Sequence, residues 1–200
     1  MASLDQASIV VLAQNYNPSI VSKEWLQRKG VLTGPVSNFV HAPPVSMVEG
    51  VELGLLLDEN RLQLVLKQPR TENLDRLTGC ANRFVEALPE TPYTAVGLNF
   101  RFSVRASSLN QSAILTPKKA KLRQLFGSGY QVGSRITFAH DRFRVTAQIP
   151  AEGGTEEVKY ISFNFHAGVT DAAEARQMIA EHRTMLTRAE SILAGVAPDG

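Results

Sequence analysis

Cysteine is almost missing from this chain of 200 residues, whose only thiol is Cys80. One cysteine excludes an internal disulfide, and it excludes zinc sites that take two or four cysteine ligands. The four histidines, His41, His140, His166 and His182, do not share a helix or strand at the spacing of metal ligands. The sequence therefore predicts no metal site and no cofactor.

Long apolar runs are missing as well. No stretch approaches the ~18 uncharged apolar residues that a membrane helix needs. The segment 1–6 lacks the basic start and apolar run of a signal peptide. We therefore expect a cytoplasmic protein without a membrane segment. The net charge of +2 is too small to imply nucleic acid or an anionic membrane by itself.

Motifs that carry catalysis are also absent. The chain has no G-x-x-x-x-G-K-[ST] phosphate loop, no G-x-S-x-G nucleophile turn and no H-E-x-x-H zinc motif. The glycine-rich stretch 127–129 follows a predicted helix, whereas a phosphate loop precedes one, so it indicates a helix end. Cys80 and His182 fall on apolar helix stripes, and we interpret both as core residues. The sequence favours a protein that is not an enzyme.

What the chain does contain is an ordinary globular composition, with 44% hydrophobic and 20% charged residues. Its clearest element is the segment 96–105, in which apolar and polar residues alternate. A period of two is typical of a strand with one dry face and one wet face. The same reasoning predicts strands at 8–13, 51–57, 62–66, 132–138, 143–149 and 161–165, and an edge strand near 38–41.

Helices are predicted between these strands. Two short ones start at a cap residue followed by proline and stop at a glycine, over 17–30 and 116–127. A longer apolar stripe of helical period covers 74–88. The last stripe predicts one long helix that is capped by Thr170 and continues to Leu193.

These elements occur in a similar order in two halves, residues 1–90 and 91–195, followed by a frayed tail at 196–200. We therefore predict one α+β domain over 1–200, a curved antiparallel sheet backed by helices, with an internal duplication. The alternative is that two amphipathic strands are merely alike. The element order resembles the fold of the TATA-binding protein family and, more loosely, helix-grip folds. No motif specific to either is present, so the resemblance implies a fold and no function.

The polar parity of the strands forms the candidate binding surface. If the apolar parity faces the helices, the opposite face carries arginines among short hydrogen-bonding side chains, with Glu52 as its main carboxylate. A guanidinium fork matches phosphates and carboxylates. The predicted binding residues are Asn99, Arg101, Arg105, Arg135, Arg142, Arg144 and Asn164. The alternative is that these side chains only solvate a sheet face and guard its edges.

Three non-enzymatic functions compete on this basis. The leading hypothesis is an interaction protein that binds a protein partner or a second copy of itself, as a homodimer, through the polar sheet face or the last helix. The second is nucleic-acid binding through the arginines, although the aromatic residues of the sheet have the inward parity. The third is an apolar small molecule held between the sheet and the long helix.

Overall fold

The structure, a computed structural model, describes residues 2–32, 34–70, 73–110, 117–127, 131–151 and 155–198. It is α+β, as predicted. The strands are β1 (Ser3–Ala13), β2 (Val36–Ala42), β3 (Val45–Gly50), β4 (Leu53–Leu57), β5 (Arg61–Leu66), β6 (Tyr93–Arg105), β7 (Ser134–His140), β8 (Phe143–Ile149) and β9 (Val158–Gly168). The helices are α1 (Lys23–Arg28), α2 (Leu74–Ala87), α3 (Lys119–Phe126), α4 (Ala172–Ala180) and α5 (His182–Val196).

All nine strands belong to one antiparallel sheet in the order β2-β3-β4-β5-β1-β6-β9-β8-β7. The two long strands β1 and β6 pair at its centre, from Ser3 opposite Ser103 to Ala13 opposite Tyr93. Strands from the first half of the sequence therefore lie on one side of this pair and those from the second half on the other. The edge position predicted for the segment 38–41 is confirmed, because β2 is an outermost strand. The internal duplication stays a prediction.

The core lies between the sheet and the helices, and strand parity decides which residues enter it. On β6 the side chains of Val96, Leu98 and Phe100 are buried, whereas Arg101 is exposed. Burying a large apolar side chain stabilises a fold by about 2 kcal/mol. The division of the strands into a dry layer and a wet layer is confirmed.

The first short helix starts later than the sequence predicts. Asn17 caps only a 3-10 turn, where its side chain accepts from the Ser19 amide at 3.1 Å. Ser22 is the cap of α1, accepting from the Trp25 amide at 3.1 Å. The predicted stop is confirmed, since Gly30 has a φ of +64°, which residues with a side chain rarely adopt.

The predicted long C-terminal helix is wrong in two respects. It is broken into α4 and α5 at Glu181, and its cap is Asp171 instead of Thr170. The Asp171 side chain accepts from the Glu174 amide at 2.8 Å, while Thr170 binds the Glu174 carboxylate from outside the helix.

In the described part of the chain, no helix has the length and apolar character to cross a bilayer.

Strand β3 is missing from the sequence prediction. It follows a Pro-Pro pair, and its inward positions are Ser46, Val48 and Gly50, of which only one has a large apolar side chain. Buried Ser46 instead donates to the Pro18 carbonyl at 2.8 Å. The alternation signal fails here because a hydrogen bond takes the place of apolar packing.

Candidate binding site on the open face of the sheet

A groove lies on the face of the sheet opposite the helices, which we call the open face. It has a volume of about 520 Å³, and every residue that lines it belongs to a strand. The lining side chains are mainly amides, hydroxyls and arginines. The polar ones are Gln6, Ser8, Arg61, Gln63, Asn99, Arg101, Arg135, Thr146, Gln148, Ser162 and Asn164.

Strand register brings these side chains together from distant parts of the sequence. One row across the sheet joins Gln6, Arg101, Ser162, Gln148 and Arg135, each directly opposite the next on a neighbouring strand. Residues that face each other in this way have side chains about 5 Å apart. The polar side chains of five strands thus form one continuous surface.

The centre of the groove is an amide pair. Asn99 on β6 lies opposite Asn164 on β9, and the Nδ2 group of Asn164 donates to Oδ1 of Asn99 at 2.6 Å. Both residues are half-buried, and Gly97 beside them leaves the Asn164 amide uncovered by a side chain. Each amide keeps further donor and acceptor capacity for a ligand.

Arg101 is held by two neighbours. Its guanidinium makes an ion pair with Asp5, with Nε to Oδ2 at 2.7 Å, and its Cζ lies 4.9 Å from the centre of the Tyr160 ring. Tyr160 is exposed. The expectation that no aromatic side chain lies on the open face is therefore wrong, because the inward parity of the buried phenylalanines does not extend to Tyr160. A tyrosine at the polar parity of β9 was the available signal.

Three of the other predicted arginines are exposed on strands of the sheet. Arg135 lines the groove, Arg144 lies opposite His166 on the same face, and Arg105 ends β6 opposite Val158. All three are exposed and form no ion pair with a described residue.

Arg142 does not join the groove. It precedes β8 and donates to Glu174 of α4 at 3.0 Å, so it connects the turn between β7 and β8 to a helix. The hydrogen bond from the Thr170 backbone amide, followed by the one from Arg142, lowers the pKa of the Glu174 carboxyl. Its inclusion in the predicted surface is wrong, because strand parity no longer applies in the turn before the strand.

The carboxylates are also placed differently from the expectation. Glu52, predicted to face outward with the binding surface, makes an ion pair with Arg76 of α2 on the helix side. Two carboxylates on the open side form ion pairs. Asp5 Oδ2 lies 2.5 Å from Nη2 of Arg101, and Glu49 Oε2 lies 2.5 Å from Nζ of Lys67. Paired carboxylates leave the unpaired arginines to set the sign of the potential over the groove.

Acidic and basic residues are unevenly distributed along the chain, although its net charge is only +2. Residues 91–140 carry seven lysines and arginines and not one aspartate or glutamate, whereas the remainder has 14 basic and 19 acidic residues. This segment contains β6, α3 and β7. Two residues of this basic segment, Arg101 and Arg135, line the polar groove, and an excess of positive charge suits an anionic ligand.

A second cavity of about 750 Å³ lies between α2 and the turn from β3 to β4. Its wall includes Cys80, Val51 and the paired Arg76. Burial raises the pKa of the Cys80 thiol to about 11, which disfavours the nucleophilic thiolate.

Among the described residues, no group of three or more His, Cys, Asp and Glu could hold a metal ion.

His182 lies in the helix layer, under the centre of the sheet. Its side chain is buried, with 1% of the residue exposed, and its ring packs 4.8 Å from the ring of Phe100. Neither ring nitrogen has a hydrogen-bond partner among the described residues. Burial lowers the pKa of this imidazole to about 4. The interpretation as a core residue is confirmed.

No protein-family model matches the chain, and no curated protein matches it at a significant level.

Proposed function

We propose that this protein is a non-enzymatic binding module whose polar groove takes an acidic segment of a protein partner. One observation carries the proposal: a groove lined only by strand residues lies on a sheet face that no described helix covers, while the other face is packed against helices. Binding residues are commonly presented by a rigid scaffold in this way.

The chemistry of the groove suits a polypeptide. Amide side chains such as Asn99, Gln148 and Asn164 both donate and accept, so they match the alternating carbonyl and amide groups of a peptide. The unpaired arginines Arg135 and Arg144 match carboxylates of the partner. The sheet beneath is fixed by continuous strand pairing, which lowers the ordering cost of binding.

A charge-reversal experiment tests the proposal. The groove variant Arg135→Glu/Arg144→Glu is compared with Arg28→Glu/Arg188→Glu, which makes the same change in net charge at exposed positions of α1 and α5. Each full chain carries a photo-cross-linker at Gln148 and is irradiated in an extract of its source cells. We expect one protein product with the wild type and the control variant, and its loss with the groove variant. Equal products from all three would overturn the proposal.

Nucleic acid is the second candidate, and the absence of any carboxylate in residues 91–140 favours it. It predicts that labelled single-stranded and double-stranded oligonucleotides bind with an affinity that falls steeply with salt. Fluorescence polarisation with the same three proteins measures this. Salt-dependent binding that the groove variant loses would replace the protein partner by nucleic acid as the ligand.

A further inference from the structure

Helix α3 exposes an apolar ridge that no described residue covers. Leu122, Leu125 and Phe126 have the spacing i, i+3, i+4, with which a helix presents neighbouring side chains on one face. Leu125 is 59% exposed and Phe126 is 66% exposed, and α3 has no buried residue. In the first half, α1 also connects a central strand to an edge strand, yet it buries Trp25 against Phe84. Such a ridge is typical of a helix that docks in an apolar groove of a partner.

The ridge is surrounded by positive charge. Lys118, Lys119, Lys121 and Arg123 lie within residues 117–127, which contain no acidic residue. A surface that fits α3 therefore needs an apolar centre and acidic surroundings.

The open face itself provides such a surface in the first half of the chain. Val40, Met47 and Leu56 lie in one row across β2, β3 and β4, each opposite the next. Val40 is 40% exposed and Met47 is 37% exposed, so this row and the α3 ridge hold four of the eight large apolar side chains exposed in the described structure. Exposed apolar patches commonly mark contact sites.

The charge around this row is opposite to that of α3. Residues 36–66 carry four acidic residues and one arginine, and of the four only Glu52 is paired with a described helix on the other side of the sheet. Glu49 follows Met47 by two residues on β3, so it shares the open side with the row. Asp58 lies just beyond the end of β4, and its ion pair with the groove residue Arg61 places its carboxylate on the same side. The two carboxylates are paired with Lys67 and Arg61, but exposed ion pairs of this kind contribute little and can exchange partners.

The width of this row also matches the diameter of a helix. Neighbouring strands are ~4.8 Å apart, so three strands span about 10 Å, which is roughly the diameter of one helix. We propose that α3 of one molecule docks across the Val40–Met47–Leu56 row of a second copy of this chain. The row lies toward the β2 edge of the sheet, whereas β7, which follows α3 in the chain, is the other edge, and none of Val40, Met47 and Leu56 lines the polar groove. The proposal is therefore tested separately from partner binding.

Complementation between two variants tests the docking. The ridge variant Leu125→Ser/Phe126→Ser keeps the row, and the row variant Val40→Ser/Met47→Ser keeps the ridge. Sedimentation equilibrium of the full chains gives the dissociation constant of self-association. We expect each variant alone to raise this constant about tenfold or more, and an equimolar mixture to recover association, since one intact ridge then meets one intact row.

Two controls limit the interpretation. Val51→Ser removes an apolar side chain beside α2 that is about as exposed as Phe126, and it should leave self-association unchanged. Circular dichroism and thermal unfolding identify any variant that fails to fold. A wild type that stays monomeric at every concentration, or a mixture that associates no better than the separate variants, would overturn the proposal. Weaker wild-type association at high salt is expected, because the two surfaces have opposite charge.

Discussion

Asn99 and Asn164 are 65 residues apart in sequence and directly opposite each other on β6 and β9, where the amide of one donates to the amide oxygen of the other at 2.6 Å. Their neighbours on the same strands, Phe100 and Phe163, are buried against the helices. The amide pair is therefore held from below by the core, while its own free hydrogen-bonding groups face the open side.

Replacing Asn164 with alanine should lower the free energy of unfolding by about 1 kcal/mol, which is typical of one hydrogen bond. Asn164→Asp should cost less, because the Asn99 amide can rotate and donate to the new carboxylate. Urea denaturation of the two variants and of Asn99→Ala measures these values. A larger loss in Asn164→Asp than in Asn164→Ala would contradict the expected exchange of donor and acceptor.

His182 should make stability depend on pH. In the folded protein its pKa is lowered from 6.5 to about 4, because burial disfavours the charged ring. As the pH falls through 6.5 the unfolded chain takes up the proton first, so stability is lost between pH 6.5 and about pH 4. The loss from this group reaches about 3 kcal/mol.

The variant His182→Leu should remove that part of the pH dependence while keeping the contact with Phe100. Urea unfolding across the same pH range compares it with the wild type, and His166→Gln serves as the control at an exposed histidine. Identical pH profiles for His182→Leu and the wild type would show that the buried ring is not responsible.

Cys80 should be nearly inert in the folded protein. Because burial raises the pKa of its thiol to about 11, only roughly one molecule in a thousand holds a thiolate at pH 8. We expect a slow reaction with a disulfide reagent that becomes fast in denaturant. The matched control is Ser191→Cys in a Cys80→Ala background, since Ser191 is exposed on α5. Native Cys80 reacting as fast as this control would contradict its burial.

The cap of α4 can be tested by a pair of alanine variants. Asp171→Ala should lower stability by about 1 kcal/mol, because it leaves the Glu174 amide without an acceptor. Thr170→Ala should cost less, since it removes only a contact from the Thr170 hydroxyl to the Glu174 carboxylate. Thermal unfolding of the two variants ranks the losses, and the reverse order would restore Thr170 as the cap.

The alternation of β6 and β9 was sufficient to predict which side chains are buried and which are exposed. The direction of the Arg142 side chain could not be predicted in the same way. Arg142 lies in the turn before β8, outside the strand, and is positioned by Glu174 of α4. Glu52 shows the same limit, since its partner Arg76 is 24 residues away on α2. Parity predicts side-chain direction only where the backbone is extended and paired.

By itself the sequence determined the fold class, the dry and wet faces of most strands and the core positions of Cys80 and His182. These follow from periods of two and 3.6 residues, which are local properties of strands and helices. Only the tertiary structure decided that Asn99 meets Asn164 and that the groove crosses the strands from Gln6 to Arg135. The row of Val40, Met47 and Leu56 depends in the same way on register, which is fixed by pairing between segments distant in sequence.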